Sequence, residues 1–283
     1  MISKRDRKFS PQIWDDLLIF HKGCAISQLL IDDSADAAFV VCGSRRRHPC
    51  LDSARQERKV ILMEQDNTSA LKPVRDWFQT KRVERTMRAL EKNGFETLFV
   101  PDGESATRAI SERIPDESTV GVGGSMTLDQ IGFFAHMRKR GIDLLDPFGN
   151  GVTWDERQEI SRRIFTSDVF VCSANAVTEE GHLYSIDGTG NRVAAMVFGP
   201  KRTIIVCGVN KIAGDMTEAR KRAWQEAAPL NARRLGRKTP CAETGACSDC
   251  NAPDRICRVA VEVLKKPAAS DILVIIVGEA LGF

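Results

Sequence analysis

The stretch TVGVGGSMTLDQIG, residues 119–132, predicts a short buried strand, a glycine-rich turn and the start of a helix. Glycines allow the backbone to approach a ligand closely, and the free amides at a helix start favour an anion. We expect Ser125 to cap the helix and Asp129 to complement its positive end. The stretch lacks both GK[ST] and the last glycine of GxGxxG. It therefore predicts either an anion or polar-ligand site or simply a tight turn.

Helical and strand patterns alternate on both sides of this stretch. Helices are predicted over residues 73–94, 105–114, 125–141 and 154–165, and strands over 95–100, 119–123, 142–146 and 168–174. This alternation indicates the α/β class, with a mostly parallel sheet flanked by helices on both faces. Further along, residues 175–192 predict a hairpin that turns at Glu180-Gly181. A strand over 201–212, a helix over 215–236 capped by Asp215 and a buried final strand from residue 272 follow.

Two polar segments follow predicted strands in the second half of the chain. DGTGNR, residues 187–192, combines an acid, a hydroxyl, an amide and a cation, and GVNKI, residues 208–212, places Asn210 and Lys211 after a buried strand. In parallel-sheet proteins such strand-end loops gather at the ligand crevice. We expect Asp187 and Lys211 as candidate catalytic residues, and Asn191, Arg192 and Asn210 as ligand contacts. The alternative for the first segment is an ordinary turn before a helix.

Composition sets the class of protein and excludes several functions. The 283 residues are 42% hydrophobic and 28% charged with a net charge of +3, which is ordinary for a globular protein and gives no reason to expect nucleic acid as a partner. The apolar runs are shorter than a membrane span and no secretory signal is evident, so we expect a cytoplasmic protein. No GxSxG or HExxH motif is present.

The N-terminal residues lack the alternating helical and strand patterns of the rest of the chain. Residues 1–62 are interpreted as an extension, either disordered or preceding a native start at Met63, and residues 63–283 as one α/β domain. Within that domain, residues 239–257 form a cysteine-rich loop that we expect to be irregular and to precede the last strand.

Four of the nine cysteines lie in this loop, at Cys241, Cys247, Cys250 and Cys257. A reducing cytosol argues against disulfides, and four clustered thiols predict a metal centre. Only Cys247 and Cys250 have the short spacing common in zinc sites, whereas iron–sulfur clusters accept varied spacing. An iron–sulfur cluster of the 4Fe-4S kind is the leading expectation, with zinc or free redox-active thiols as alternatives. Cys172 and Cys207, in apolar runs, are expected in the core.

Long segments of the chain resemble the lactate-utilisation (LUD) domain family. The resemblance covers roughly residues 77–283 and rests on VGVGGSMTLDQIG, SANAVTEEGHLYSIDGTGNRVAAMVFGPK, VCGVNKI, APLNARRLG, PCAETGACSDC, DRIC and GEALGF. It implies a fold similar to the group of sugar-phosphate isomerases, glucosamine-phosphate deaminases and CoA transferases (NagB/RpiA/CoA-transferase-like). It also implies that Gly121, Gly123, Gly124 and Ser125 lie on the phosphate-type loop of that group. No catalytic acid of those enzymes matches a position in this chain.

The resemblance also implies a function. Family relatives act in bacterial oxidation of L-lactate to pyruvate beside iron–sulfur subunits, so we expect this chain to bind a small anionic metabolite and to work with such subunits. The chain itself lacks the repeated CxxCxxC segments of those subunits. Two alternatives stay open: a transferase or isomerase for a phosphorylated or CoA-linked substrate with a structural zinc loop, and a non-enzymatic assembly or regulatory partner of an oxidation complex.

Overall fold

The chain divides into two units, Met1–Ala70 and Leu71–Phe283. The computed structural model describes the backbone of residues 26–31, 38–42 and 53–283 and the side chains of residues 71–283. In the first unit, strand β1 (Ile26–Ile31) pairs antiparallel with β2 (Ala38–Cys42). The interpretation of residues 1–62 as an extension otherwise concerns residues 1–25, 32–37 and 43–52, which lie outside the described residues.

The first described helix is longer than the sequence predicts. It spans Ser53–Lys92 and contains Pro73, where the sequence pattern predicts its start. Proline fits the helical φ angle, and inside a helix it removes one backbone hydrogen bond. The helix ends at Asn93-Gly94 as predicted, with Gly94 in the left-handed conformation.

The second unit contains two sheets. Its strands are β3 (Glu96–Val100), β4 (Thr119–Val122), β5 (Asp143–Leu145), β6 (Val169–Cys172), β7 (Ala176–Thr178), β8 (Leu183–Asp187), β9 (Arg202–Gly208), β10 (Ile212–Ala213), β11 (Val259–Val263) and β12 (Asp271–Val277). The larger sheet has the order β3-β12-β9-β6-β4-β5, and every pairing in it is parallel. Because all six strands run the same way, the segments that follow them meet at one edge.

The smaller sheet has the order β10-β7-β8-β11. The predicted hairpin is confirmed, since β7 and β8 are antiparallel neighbours. β11 adds antiparallel to β8, and β10 adds parallel to β7. The cysteine-rich segment lies before the last strand, and β11, a strand that the sequence analysis did not predict, comes between the two. The segment also contains one short helix, Pro240–Thr244, because proline at the first helical position and Gly245 after the last residue define a single turn.

Shorter helices of the second unit pack mostly against the larger sheet, whereas Met216–Arg222 and Ala228–Arg234 share a core with the smaller sheet, and two of the predicted helices are divided. The shorter helices span Gly103–Ser111, Met126–Gln130, Phe133–Lys139, Trp154–Arg163, Asn191–Val197, Met216–Arg222 and Ala228–Arg234. The helix predicted over residues 125–141 breaks at Gly132, which has φ +74°. In the helix predicted over 215–236, a π-helical segment, Ala223–Ala227, precedes Pro229, whose missing N–H interrupts the regular ladder.

Two hydrophobic cores lie on opposite faces of the larger sheet. Alternate residues of β12 divide between them, with Leu273 and Ile275 in one core and Val274 and Ile276 in the other. Cys172 and Cys207 are buried in the second core, as predicted, and burial raises the pKa of the Cys172 thiol to about 12. The α/β class with a mostly parallel sheet between helices is thereby confirmed. No helix in the described part of the chain is both long and apolar enough to cross a membrane.

The β7–β8 turn provides a test of packing against the helix Ser53–Lys92. Gly181 has φ +80°, and a Cβ placed there would lie 2.3 Å from the carbonyl carbon of Ala89. We expect Gly181→Ala to lower the free energy of unfolding by about 3 kcal/mol or more, since it combines backbone strain with an overlap against backbone atoms. Chemical denaturation measures this loss.

Gly132→Ala is the matched control for that substitution. Gly132 also has a positive φ, but a Cβ there would meet no atom within 4 Å among the described residues. Gly132→Ala should lower the free energy of unfolding by about 1 kcal/mol, which is the strain of the left-handed conformation alone. Equal losses in the two variants would contradict the steric account.

Candidate functional site

A cleft of about 710 Å³ lies at the carboxyl ends of the parallel strands. Its floor is formed by the segments that follow β4, β6 and β9. Its walls come from the loop after β5, the helix Trp154–Arg163, the turn after β8 and the helix Ala228–Arg234. This is the edge at which ligands bind in open α/β sheets, and the volume is in the range of small-molecule sites.

The cleft carries a surplus of positive charge. Its lining contains six basic side chains and three carboxylates: Arg138, Arg157, Arg192, Lys211, Arg234 and Arg237, with Asp129, Asp146 and Asp187. Walls of low dielectric concentrate the field of such a surplus in the cleft. The arrangement therefore favours an anionic ligand.

Lys211 lies at the floor of the cleft and is 3% exposed. Its Nζ donates to the Thr127 hydroxyl at 2.9 Å, the Ser173 hydroxyl at 2.8 Å and the Ala174 carbonyl at 3.4 Å. All three acceptors are neutral, and the charged neighbours include the cations Arg192 and Arg222. A buried ammonium without a carboxylate partner is costly, which makes Lys211 a functional candidate.

Burial is the main cause that lowers the pKa of Lys211 from its usual 10.5 to about 8; the Cys207 thiol raises this pKa, and the guanidinium groups of Arg222 and Arg192 lower it. Close to neutral pH, Lys211 is therefore able both to donate and to accept a proton. This is the property that a general acid or base requires.

The glycine-rich turn has two functions, one in packing and one in the cleft. A Cβ at Gly121 would lie 2.8 Å from Ile164, and one at Gly123 would lie 3.0 Å from the stem of Arg192, so both positions are occupied by protein contacts. Gly124 and Ser125 do line the cleft. Ser125 caps the helix Met126–Gln130 by accepting from the Leu128 amide, as the sequence predicts.

Asp187 and Arg192 act within the protein more than toward the cleft. One Asp187 oxygen accepts from the amides of Thr189 and Gly190 at 2.9 Å, which holds the turn after β8. The Arg192 guanidinium donates to the carbonyls of Ser173 and Ile186 at 2.7 and 2.6 Å and to the Asn175 side chain at 3.2 Å. These acceptors occupy the terminal N–H groups of the Arg192 guanidinium, so Arg192 holds the strand ends together. The geometry therefore does not favour the predicted contact between Arg192 and a ligand.

The two predicted asparagines have different positions. Asn191 lines the cleft and donates to the Ser161 hydroxyl at 3.3 Å. Asn210 is exposed and its side-chain oxygen accepts from the Leu281 amide at 3.0 Å. Asn210 therefore fastens the segment after β12 and is not among the residues that line the cleft.

Two arginines of the cleft lie outside the motifs that the sequence analysis selected. The buried Nε atoms of Arg157 and Arg237 have no hydrogen-bond partner among the described residues, and neither guanidinium is in a salt bridge with a described carboxylate. An unpaired guanidinium beside a cleft is a natural partner for carboxylate or phosphate. Thr127 and Ser173, which hold Lys211, were also missed: both lie in stretches that the sequence analysis quotes, but the sequence does not show that their hydroxyls meet the lysine.

A pair of carboxylates lies on another wall. Partial burial raises the pKa of Asp129, Arg234 lowers it, and the neighbouring Asp146 raises it again. Asp146 itself accepts from the Phe148 amide at 2.9 Å. Asp129 is thus a second group in the cleft whose proton affinity is shifted toward neutral pH.

The cysteine loop is organised by Arg255. Its guanidinium donates to the carbonyls of Cys250 and Cys257 at 2.6 and 2.9 Å, pairs with Asp249 at 2.8 Å and lies 5.5 Å over the Trp224 ring. Burial raises the pKa of Cys257, which favours its thiol form. Among the described residues, no group of three or more His, Cys, Asp and Glu side chains is placed to hold a metal ion, and the four loop cysteines are free. The geometry therefore does not support the predicted metal centre, which stays a prediction.

The burial of Lys211 can be tested through stability. Because its folded pKa lies below its unfolded pKa, the folded state is penalised while both forms are protonated, and the penalty disappears as pH rises from about 8 to 10.5. The shift corresponds to about 3 kcal/mol. We expect Lys211→Met to raise the melting temperature at pH 7, with the gain shrinking toward pH 10. The exposed Lys221→Met is the control, and a pH-independent loss of stability in Lys211→Met would contradict the account.

Comparisons with known proteins identify the family. The crystal structure of a DUF162 family protein from Deinococcus radiodurans is 13% identical, with a TM-score of 0.43, over 71% of this chain and 98% of that one. Ribose 5-phosphate isomerase from Plasmodium falciparum is 12% identical, with a TM-score of 0.26, over 40% of this chain and 52% of that one. No protein with a curated description matches. The LUD domain profile matches residues 83–277, well over half of the sequence, and the chain therefore belongs to the LUD domain family.

Proposed function

We propose that this chain binds a small anionic metabolite in the cleft and takes part in the utilisation of L-lactate or a related hydroxy acid. The observation that carries the proposal is the buried Lys211 ammonium at the cleft floor, which has only neutral acceptors. The association of the LUD family with lactate utilisation supports the substrate class.

The carboxylate of the ligand supplies the negative partner that the Lys211 ammonium lacks within the protein. A charge-assisted hydrogen bond to an ammonium is stronger than a neutral one, and burial in the cleft strengthens it further. Ser173 and Thr127, which already contact the ammonium, place hydroxyl groups beside the same position. Arg237, with its unpaired guanidinium, provides a second positive charge in the cleft.

Lys211 is also the proposed proton-transfer group. With a pKa of about 8, roughly a tenth of it is neutral at pH 7. The ammonium exchanges its long contact with the Ala174 carbonyl, at 3.4 Å, for a substrate oxygen, and the neutral amine accepts the proton of a hydroxyl. Asp187, the other candidate, is less suited because its carboxylate oxygen is committed to the turn amides.

The proposed setting is a cytosolic lactate-oxidation system with iron–sulfur subunits as partners. The family association supports lactate utilisation, and the cytosolic location and the iron–sulfur partners are part of the proposal. An iron–sulfur cluster on Cys241, Cys247, Cys250 and Cys257, or zinc in its place, would serve electron transfer or loop structure respectively. No step of the proposed ligand binding passes through that centre.

Ligand binding is tested by calorimetric titration with L-lactate and pyruvate. We expect Lys211→Met to weaken binding by about 10- to 100-fold, the value of a hydrogen bond to a charged group. The wild-type affinity should be highest below pH 8 and should fall above it, because the free protein must protonate Lys211 to bind the anion.

Arg108→Ala is the control for this titration, since Arg108 is exposed and lies outside the cleft lining. It should bind as the wild type does. A Lys211→Met variant that binds both acids with wild-type affinity would contradict the proposal. Tight binding of sugar phosphates alone would favour the transferase or isomerase alternative.

The cysteine loop is tested by anaerobic purification, metal and sulfide analysis and visible absorption. Iron and sulfide in about equal amounts, lost when the four loop cysteines are changed to serine, are expected if the loop holds a cluster. Cys207→Ser, in the core, should retain the metal. Stoichiometric zinc without colour would contradict the cluster, and a metal-free protein would contradict both centres.

A further inference from the structure

The helix Trp154–Arg163 turns one side toward the cleft, and that side is neither apolar nor uniformly charged. Trp154, Arg157, Gln158 and Ser161 all line the cleft. Their spacing of three, four and seven residues places them in one stripe along the helix. The stripe therefore presents an aromatic ring, a guanidinium, an amide and a hydroxyl in succession.

The start of this helix is firmly held. The Glu156 amide donates to the Thr153 hydroxyl at 3.3 Å, and the Glu156 carboxylate accepts from the Thr153 amide at 2.8 Å, which completes a capping box. Trp154 is the first helical residue and remains 64% exposed. A large ring on a fixed backbone offers a stacking surface at little further cost in entropy.

A second exposed ring, that of Phe148, lies against the glycine-rich turn. Phe148 is 50% exposed, and a Cβ at Gly124 would lie 2.9 Å from its ring, so only glycine leaves room for it there. The Arg157 guanidinium lies 5.1 Å from the centre of the Phe148 ring. This cation–π contact holds the guanidinium beside the ring, and its Nε has no acceptor among the described residues. Arg157 is thus positioned to bind a phosphate.

The cleft is larger than a hydroxy acid requires. Such an acid has about six non-hydrogen atoms, and at about 30 Å³ each, the share of a water molecule, it fills roughly 180 Å³. The cleft volume is about 710 Å³. Most of the cleft therefore remains for a second ligand or for a larger part of the same one.

We propose that the part of the cleft lined by Phe148, Trp154, Arg157, Gln158 and Ser161 binds a nucleotide. Its aromatic base stacks on the exposed rings, its phosphate pairs with Arg157, and its sugar hydroxyls meet the amide of Gln158. The inference uses neither Lys211 nor Arg237, so it stands apart from the proposed binding of a hydroxy acid.

ADP, adenosine and inorganic pyrophosphate are the probes, titrated into the full chain by calorimetry. ADP is expected to bind more tightly than either fragment, since it makes both contacts. Trp154→Ala should weaken ADP by about tenfold, the effect of losing one stacked base, and leave pyrophosphate unchanged. Trp154→Phe, which keeps a ring, should retain most of the ADP affinity. Arg157→Ala should weaken ADP and pyrophosphate alike.

Arg163→Ala is the matched control, because Arg163 is exposed on the same helix and does not line the cleft. It should bind ADP as the wild type does. The proposal is overturned if ADP does not bind, or if Trp154→Ala and Arg157→Ala bind it with wild-type affinity. Titration of the same proteins with L-lactate separates the two proposals: the two variants should bind lactate as the wild type does, and a wild-type protein that binds lactate but not ADP overturns only this one.

Discussion

The buried Lys211 ammonium is the interaction on which the arrangement of the cleft depends. Lys211 follows β9, and its acceptors follow the neighbouring strands: Thr127 comes after β4, and Ser173 and Ala174 come directly after β6. One cation therefore joins the carboxyl ends of three parallel strands. Because no carboxylate pairs with this cation, the site keeps a net positive charge, and burying that charge costs free energy. An anionic ligand would lower this cost by pairing with the ammonium.

The segment after β12 keeps this cation out of water. A Cβ at Gly282 would lie 2.5 Å from the Thr127 hydroxyl and 3.1 Å from the Lys211 Nζ, so the backbone at Gly282 lies directly against the pair. The Asn210 side chain fastens that segment by accepting from the Leu281 amide. Asn210 thus contributes to the site indirectly: it holds the segment that covers Lys211. Its side chain points to that segment, and it therefore does not line the cleft although it precedes Lys211 in sequence.

The sequence predicted the class of fold and the strand ends at which the cleft lies, because both depend on local patterns. Apolar runs alternating with helical periodicity define a parallel sheet, and polar residues directly after the runs fall at its carboxyl edge, as Lys211 and Ser125 do. What a side chain does there depends on partners distant in the chain. The sequence shows no partner for Arg192, yet its acceptors come from β8 and from the residue directly after β6. Arg157 was missed because it lies within a helix, although its spacing from Trp154 and Ser161 already placed the three on one face.

The cysteine loop and the cleft are in direct contact, and this gives the loop a structural role whatever its thiols bind. The Arg258 amide, one residue beyond Cys257, donates to the Asp187 carbonyl at 2.8 Å, and a Cβ at Gly188 would lie 3.2 Å from the Cα of Ile256. Ile256 also lines the cleft. The turn that Asp187 holds is therefore packed against the end of the cysteine loop. Since Arg255 fixes that end through the carbonyls of Cys250 and Cys257, a change at the thiols that displaced the loop backbone would be transmitted to the cleft wall through these contacts.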